Sequence, residues 1–414
     1  MKTKYLFAII LSVIFLLKAP TTALARSTFW EIQSIDTVKY SRDLAKEKED
    51  DFAFAQTIDA QMKKIAEVGA THVAIGTPYD PEFTPYLRLW VNSARKYGLN
   101  IWFRGNFAGW EGWFNYSRIT PDEHKSKVSK FIEKNPELFK EGDIFTPCTE
   151  CENGTIGDPR ETGNVEGFRK LLIDEYKIAS GTFNKINKKV KTGFFSMNGD
   201  VAKLIMDKET TKKLGGVVVV DHYVKGPKEL AYDVQELAKN SGGQIVLGEI
   251  GVPIPDIHGV MNETQQNFWL SEALYSLSQN PNVIGLNYWV LEGGSTQIWP
   301  NTSKKAAAVT LSTYFSPPLI KGKVSDEINN PLSNVVISIN GKTWETDNQG
   351  EFEVPLVPSA SKLLIQKDNY QETSLESPKS GAVNEIVLKR TKDGFFFSIK
   401  KILFKVKSLF TGKK

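Results

Sequence analysis

Only two cysteines and four histidines occur in 414 residues, and neither type is arranged to hold a metal. Cys148 and Cys151 would supply half of a zinc site. The other half is missing, because His72, His124, His222 and His258 form no close-spaced pair. No metal or organic cofactor is therefore expected. A Gly-rich phosphate loop after the first apolar strand is also lacking, which argues against an open dinucleotide-binding sheet. Positive charge is scarce in the body of the chain. The formal net charge is +4, but Lys2, Lys4 and Lys18 stand in the first 25 residues, and seven lysines against Asp393 stand in residues 391–414. Residues 26–390 are left mildly acidic, which excludes nucleic acid as the main partner.

Residues 1–25 read as a secretory signal: Lys2 and Lys4, an apolar run from Tyr5 to Leu17, then Pro20 and the small-residue site Ala23-Leu24-Ala25. The run is short for a membrane span and is closed by Lys18 and Pro20. The expected location is secreted or in the cell envelope. In that setting the Cys148/Cys151 spacing allows a disulfide, a redox pair or half a metal site. A structural bridge bracing the turn around Glu150 is favoured, since no thioredoxin-like unit surrounds it.

From about residue 28 to 315, short apolar strands alternate with amphipathic helices, the pattern of parallel βαβ units. The predicted strands are 29–35, 72–76, 101–104, 144–148, 193–197, 217–220, 245–247 and 283–289. Between them run helical stripes such as Phe168, Leu171, Leu172 and Tyr176, or Leu270, Ala273, Leu274 and Leu277. Eight units over this length predict a closed (β/α)8 TIM barrel at residues 26–317, with its working face at the C-terminal strand ends. Those ends carry Arg104 and Asn106, Glu150 and Glu152, Asn198, His222 and Tyr223, Glu249, and Trp289. Residues 318–390 change to period-2 strands with turns such as Asn340-Gly341, predicting a small all-β sandwich. Residues 391–414 mix bulky apolar residues with lysines. They read either as a basic amphipathic helix for an anionic membrane surface or as a solvated tail.

The barrel resembles the clan A glycoside hydrolases. Leu247-Gly248-Glu249-Ile250-Gly251 is similar to the family's strand-seven motif, Asp221-His222-Tyr223 to its strand-six end and Asn287-Tyr288-Trp289 to its strand-eight end. The resemblance implies a nucleophile at Glu249, to which Tyr223 would donate, and an acid/base carboxyl after strand four. There the sequence departs from the family's Asn-Glu and reads Cys148-Thr149-Glu150-Cys151-Glu152-Asn153. Glu150 is the preferred acid and Glu152 the alternative. In an extended strand both would point to one side. Arg104, Asn106, Trp110, Asn198, His222, Tyr223 and Trp289 are the expected substrate-binding residues, the aromatic ones offering planes to sugar C–H faces. The second module, through Gly322-Lys323-Val324, Pro331 to Val335, Thr346-Asp347 and Gly350-Glu351-Phe352, resembles the carboxypeptidase regulatory-like β-sandwich.

The expectation is thus an exported retaining glycoside hydrolase acting on a β-linked oligo- or polysaccharide through two glutamates, with carbohydrate as its partner. The rival is a carbohydrate-binding or cell-surface scaffold protein that keeps the barrel without turnover.

Overall fold

The computed structural model describes residues 27–49 and 51–391. The signal reading at 1–25 lies outside the described residues, as does the tail reading apart from Thr391. Among the described residues no helix is long and apolar enough to cross a membrane.

Eight parallel strands form the first unit: β1 (Ile32–Asp36), β2 (His72–Ile75), β3 (Asn100–Phe103), β4 (Ile144–Phe145), β5 (Ser196–Asn198), β6 (Val217–Asp221), β7 (Gln244–Ile250) and β8 (Val283–Tyr288). They pair in the order β4-β3-β2-β1-β8-β7-β6-β5. The ring closes between β4 and the run leading into β5. Lys191 N donates to Asp143 O at 2.9 Å and Phe145 N to Lys191 O at 2.8 Å. The architecture is a TIM barrel.

Helices wrap the outside because their apolar residues recur on one stripe. In Ala55–Val68 the inward residues include Ile58, Met62 and Ile65, and the helix stops at Gly69, whose φ of +96° a residue with a Cβ would resist. The helix Pro121–Lys134 begins with a reciprocal Thr120/Glu123 cap. The long helix Val165–Lys185 buries Phe168, Leu171 and Leu172, but also Glu175.

Inside the ring, seven of the strands and the run leading into β5 each contribute one side chain to a separate apolar layer: Ile32, Ala74, Trp102, Ile144, Phe194, Val219, Val246 and Ile284. This layer is a packed floor, as expected when a barrel of eight strands is just wide enough for side chains to fill. Polar residues begin directly above it, where the Arg104 guanidinium stands 5.4 Å from the Trp102 ring centre.

A small C-terminal β domain follows the helix Ala306–Phe315. Its strands are β9 (Leu319–Asp326), β10 (Val336–Ile339), β11 (Lys342–Glu345), β12 (Glu351–Pro355), β13 (Lys362–Gln366), β14 (Thr373–Glu376) and β15 (Val383–Leu388). They make two sheets, β11-β10-β13-β14 and β12-β9-β15. Alternate residues such as Ile320 and Val324, Ile337 and Ile339, and Leu363 and Ile365 are buried between them. This domain sits against the N-terminal end of the barrel. Lys342 Nζ donates to Pro281 O at 3.0 Å and to Val283 O at 2.5 Å, and the Phe29 and Trp344 rings lie 6.4 Å apart. Burial pushes the Lys342 ammonium down to about 8. The opposite end, where strand C-termini gather, stays free of it.

Candidate active site

Arg104 is the hub of that open end. Leaving β3, its buried guanidinium donates through Nη1 to Asp36 Oδ2 at 3.0 Å and Glu249 Oε1 at 3.2 Å. Through Nη2 it donates to Ser196 Oγ at 2.9 Å and to Asp221 Oδ2 at 3.1 Å. Asn287 of β8 adds a bond from Nδ2 to Asp36 Oδ2 at 2.9 Å. Side chains from β1, β5, β6 and β7 thus converge on the residue that follows β3, and β8 joins them through Asp36. Burial disfavours the Arg104 charge, but Asp221, Glu249 and Asp36 together hold its pKa above the ordinary value.

Three carboxylates face this one guanidinium, so negative charge is in excess. Burial drives the Glu249 carboxyl up to about 7; Arg104 and the Tyr223 hydrogen bond oppose the rise, while Glu150 and Asp36 add to it. Asp221 is raised as well, chiefly by burial and against Arg104. The cluster therefore keeps a proton into the neutral range, and its titration belongs to the group. Glu249 is the member that reaches the opening, with its side chain 18% exposed against 3% or less for Asp36 and Asp221. The Tyr223 hydroxyl donates to Glu249 Oε2 at 2.8 Å. Burial keeps that phenol protonated far above neutrality, so it remains a donor. Trp289 is half-buried, 6.1 Å from the Tyr223 ring in an edge-on arrangement, with Lys39 Nζ 5.4 Å from its own ring centre.

The strand-four end differs from expectation. The chain leaves the sheet after Phe145, because Thr146 turns its hydroxyl to Trp102 Nε1 and Phe194 O and Pro147 follows. Cys148 and Cys151 are bonded to each other, with Cα atoms 5.3 Å apart. Glu150 adopts φ +45°, ψ +58° and starts a short 3-10 turn at Cys151–Asn153. Strand parity does not apply here, and the two acids diverge. Glu150 is half-buried and close enough for its charge to raise Glu249 and Asp221. Glu152 turns inward, where Oε1 accepts from Asn198 N at 2.9 Å and Oε2 has no protein partner. Burial pushes its carboxyl up to about 7.

Several expected substrate contacts are not brought to the opening. Trp110 is fully buried, its ring 4.6 Å from His124 and pressed by Gly154, so it is a core residue. Asn106 is also fully buried. Its Nδ2 donates to Glu111 Oε1 at 2.8 Å and its Oδ1 lies 2.8 Å from His124 Nε2. His222 points outward to Asp233, 2.8 Å from Nε2, leaving Gly199 against its Nδ1. Asn198, by contrast, is exposed at the C-terminal end of β5, where it caps the helix Gly199–Ile205 and accepts from Arg160.

Asp36, Ser196 and Glu111 were not among the expected residues. Asp36 could have been found by treating the end of strand one like the other seven ends. Ser196 and Glu111 carry no local signal. Two open hollows elsewhere, about 610 Å³ beside Lys367 and Tyr370 and about 330 Å³ beside Tyr79 and Lys127, include none of the residues around Arg104. Among the described residues no group of three or more His, Cys, Asp or Glu could hold a metal ion.

No family model matches the chain, and no curated protein matches it. Solved structures do. A variant of GH5_18 from Bifidobacterium longum subsp. longum in complex with Manβ1-4GlcNAc aligns with TM-score 0.54 at 14% identity, covering 73% of this chain and 84% of that one. GH5_18 from the same source gives TM-score 0.53 at 17% identity, covering 73% and 85%. A GH5_18 variant from Streptomyces cattleya in complex with Manβ1-4GlcNAc gives TM-score 0.51 at 11% identity, covering 71% and 84%. At these identities the likeness is one of fold.

Proposed function

We propose that this chain is an exported retaining glycoside hydrolase acting on a β-linked oligo- or polysaccharide. The observation that carries the reading is Glu249, a partly open carboxylate gripped by Tyr223 and Arg104 at the mouth of the barrel, with Glu150 on the neighbouring turn. In the ionised form Glu249 attacks the anomeric carbon. Glu150 gives its proton to the leaving oxygen, and the glycosyl–enzyme forms. Glu150 then takes a proton from water, whose oxygen displaces Glu249. Tyr223 and Arg104 aim the nucleophile and leave it charged once Glu150 is neutral. Glu152 is assigned to holding the turn against β5, since its Oε1 is spent on a backbone amide.

The fold neighbours that carry Manβ1-4GlcNAc make β-mannosides the first substrates to try, within a panel of β-glycosides. A binding protein without turnover is favoured by one observation, the Glu249 carboxyl at about 7, which leaves it partly protonated near neutrality. A 2-fluoro glycoside decides between the two. Covalent label on Glu249 supports the hydrolase; saturable glycan binding with neither label nor hydrolysis overturns it.

A further inference from the structure

Positive charge at the mouth gathers on the segments that follow β1 and β3, and the two-glutamate scheme leaves it unused. Directly after β1 the short helix Val38–Ser41 carries Lys39, whose Nζ stands 5.4 Å from the ring centre of Trp289. Arg42, just past that helix, holds its guanidinium 5.1 Å from the ring centre of Trp113 in the segment after β3. Both cations share one carboxylate: Lys39 Nζ lies 3.0 Å and Arg42 Nη2 2.7 Å from Asp43. One positive charge is left over. Arg118 donates to the carbonyls of Trp110 and Asn153, and among the described residues no carboxylate pairs with it. A second positive charge is thus unspent. The other guanidiniums of the opening are consumed, Arg104 by Asp36, Asp221 and Glu249, and Arg160 by Asp158.

These cations flank both glutamates. Trp289, beside Lys39, lies edge-on to Tyr223, whose hydroxyl holds Glu249. Asn153, whose carbonyl accepts from Arg118 at 3.1 Å, donates through Nδ2 to Glu150 Oε2 at 3.3 Å. Burial raises the Glu111 carboxyl to about 8, the Glu150 charge adds to the rise and Arg42 opposes it, which puts Arg42 within electrostatic reach of the same turn. We propose that Lys39, Arg42 and Arg118 form a specificity-determining edge for a negatively charged saccharide, whose carboxylate or sulfate ester stands on a ring next to the scissile bond. The inference deepens the proposed function and rests on it. An anionic sugar entering the mouth is repelled by Glu249 and Glu150, so its charged group needs a cationic wall. The β1 and β3 side offers one, whereas the opposite rim at β5 carries Asp158 and Asp200. Arginine suits the task, because its planar fork meets a carboxylate or sulfate with parallel N–H bonds. The indole rings hold Lys39 and Arg42 by attraction of cation to ring face, which limits the side-chain freedom lost when an anion binds.

The test is isothermal titration calorimetry of the full chain with thio-linked β-disaccharides, which resist hydrolysis, in matched neutral, carboxylated and sulfated forms of the mannoside and of the wider panel. A charged form should bind at least about tenfold tighter than its neutral parent, the worth of one charge-assisted hydrogen bond. Salt at about 1 M, which cuts the screening length to ~3 Å, should shrink that preference. In Lys39→Met, Arg42→Met and Arg118→Met the ratio of charged to neutral affinity should fall, by about tenfold where the lost cation touches the anion. Preference for the carboxylate identifies a uronide, and preference for the sulfate ester a sulfated glycan. Equal binding of all three forms, or a ratio unchanged in every variant, overturns the edge and leaves the glycosidase reading standing. Binding of none across the panel overturns both. If a variant does not fold, the wild-type ratio and its salt dependence still decide.

Discussion

Replacing Glu249 with glutamine should abolish turnover and make the protein more stable. Arg104 faces Asp36, Asp221 and Glu249 at once, and the Glu249 carboxyl is pushed up to about 7 from an ordinary 4.5. Keeping it ionised above pH 7 therefore costs the folded state ~3 kcal/mol. The folded state binds a proton more readily than the unfolded chain, so wild-type stability falls as pH rises from about 4.5 to about 7. Glutamine removes the charge but still offers an oxygen to Arg104 and an amide to the Tyr223 hydroxyl. At pH 8 the barrel transition in Glu249→Gln should lie roughly 5 °C above wild type, and at pH 4 the two should coincide. Differential scanning calorimetry across that range measures the gap, and hydrolysis in parallel should drop on the order of 10⁴-fold or more. An equal or lower Tm at pH 8 would refute the claim that buried negative charge is in excess at the mouth.

Glu150→Gln should lose hydrolysis of substrates with poor leaving groups, with azide restoring turnover in Glu150→Ala, whereas Glu152→Gln should stay active; the reverse outcome, read by steady-state kinetics, would exchange their roles. Tyr223→Phe removes a donor to an ionised carboxylate, worth about 1.5–3 kcal/mol, so kcat/KM should fall roughly 10- to 100-fold without loss of fold by circular dichroism. Trp110→Ala should destabilise by about 3–5 kcal/mol in denaturant titrations with little change in KM, while Trp289→Ala should raise KM at nearly unchanged stability. Lys342→Met should flatten the pH dependence of Tm. With its ammonium pushed down to about 8 from 10.5, wild-type stability rises with pH through that window, because the unfolded chain still binds the proton there.

Much of this molecule is legible from residue order because period and position carry the information. Apolar strands alternating with helical stripes specify the barrel, and a polar residue at a strand's C-terminal end is aimed at the mouth by geometry. Arg104, Tyr223, Glu249 and Trp289 all lie at or just past such ends, and all four meet. Past the strand the rule fails. Asn106 and His222 stand in connecting segments and Trp110 in the short helix Ala108–Glu111, where side-chain direction depends on backbone angles that strand spacing does not encode. Each is claimed by a neighbour: Asn106 by Glu111, Trp110 by His124 and His222 by Asp233. The Glu150/Glu152 pair shows the same limit, since leaving the sheet at Phe145 and the left-handed backbone at Glu150 send two residues of equal parity in different directions. Long-range convergence was equally hidden. Nothing near Asp36 in the chain announces a partner at Arg104.

The apolar floor of eight inward side chains has a further consequence for the charges standing on it. It denies water an approach from beneath, so any change in the number of hydrogen ions on the Arg104 cluster is settled through the upper aperture. A saccharide that fills this aperture displaces the solvent with which those ions exchange. Occupancy and protonation thereby become two readings of a single equilibrium.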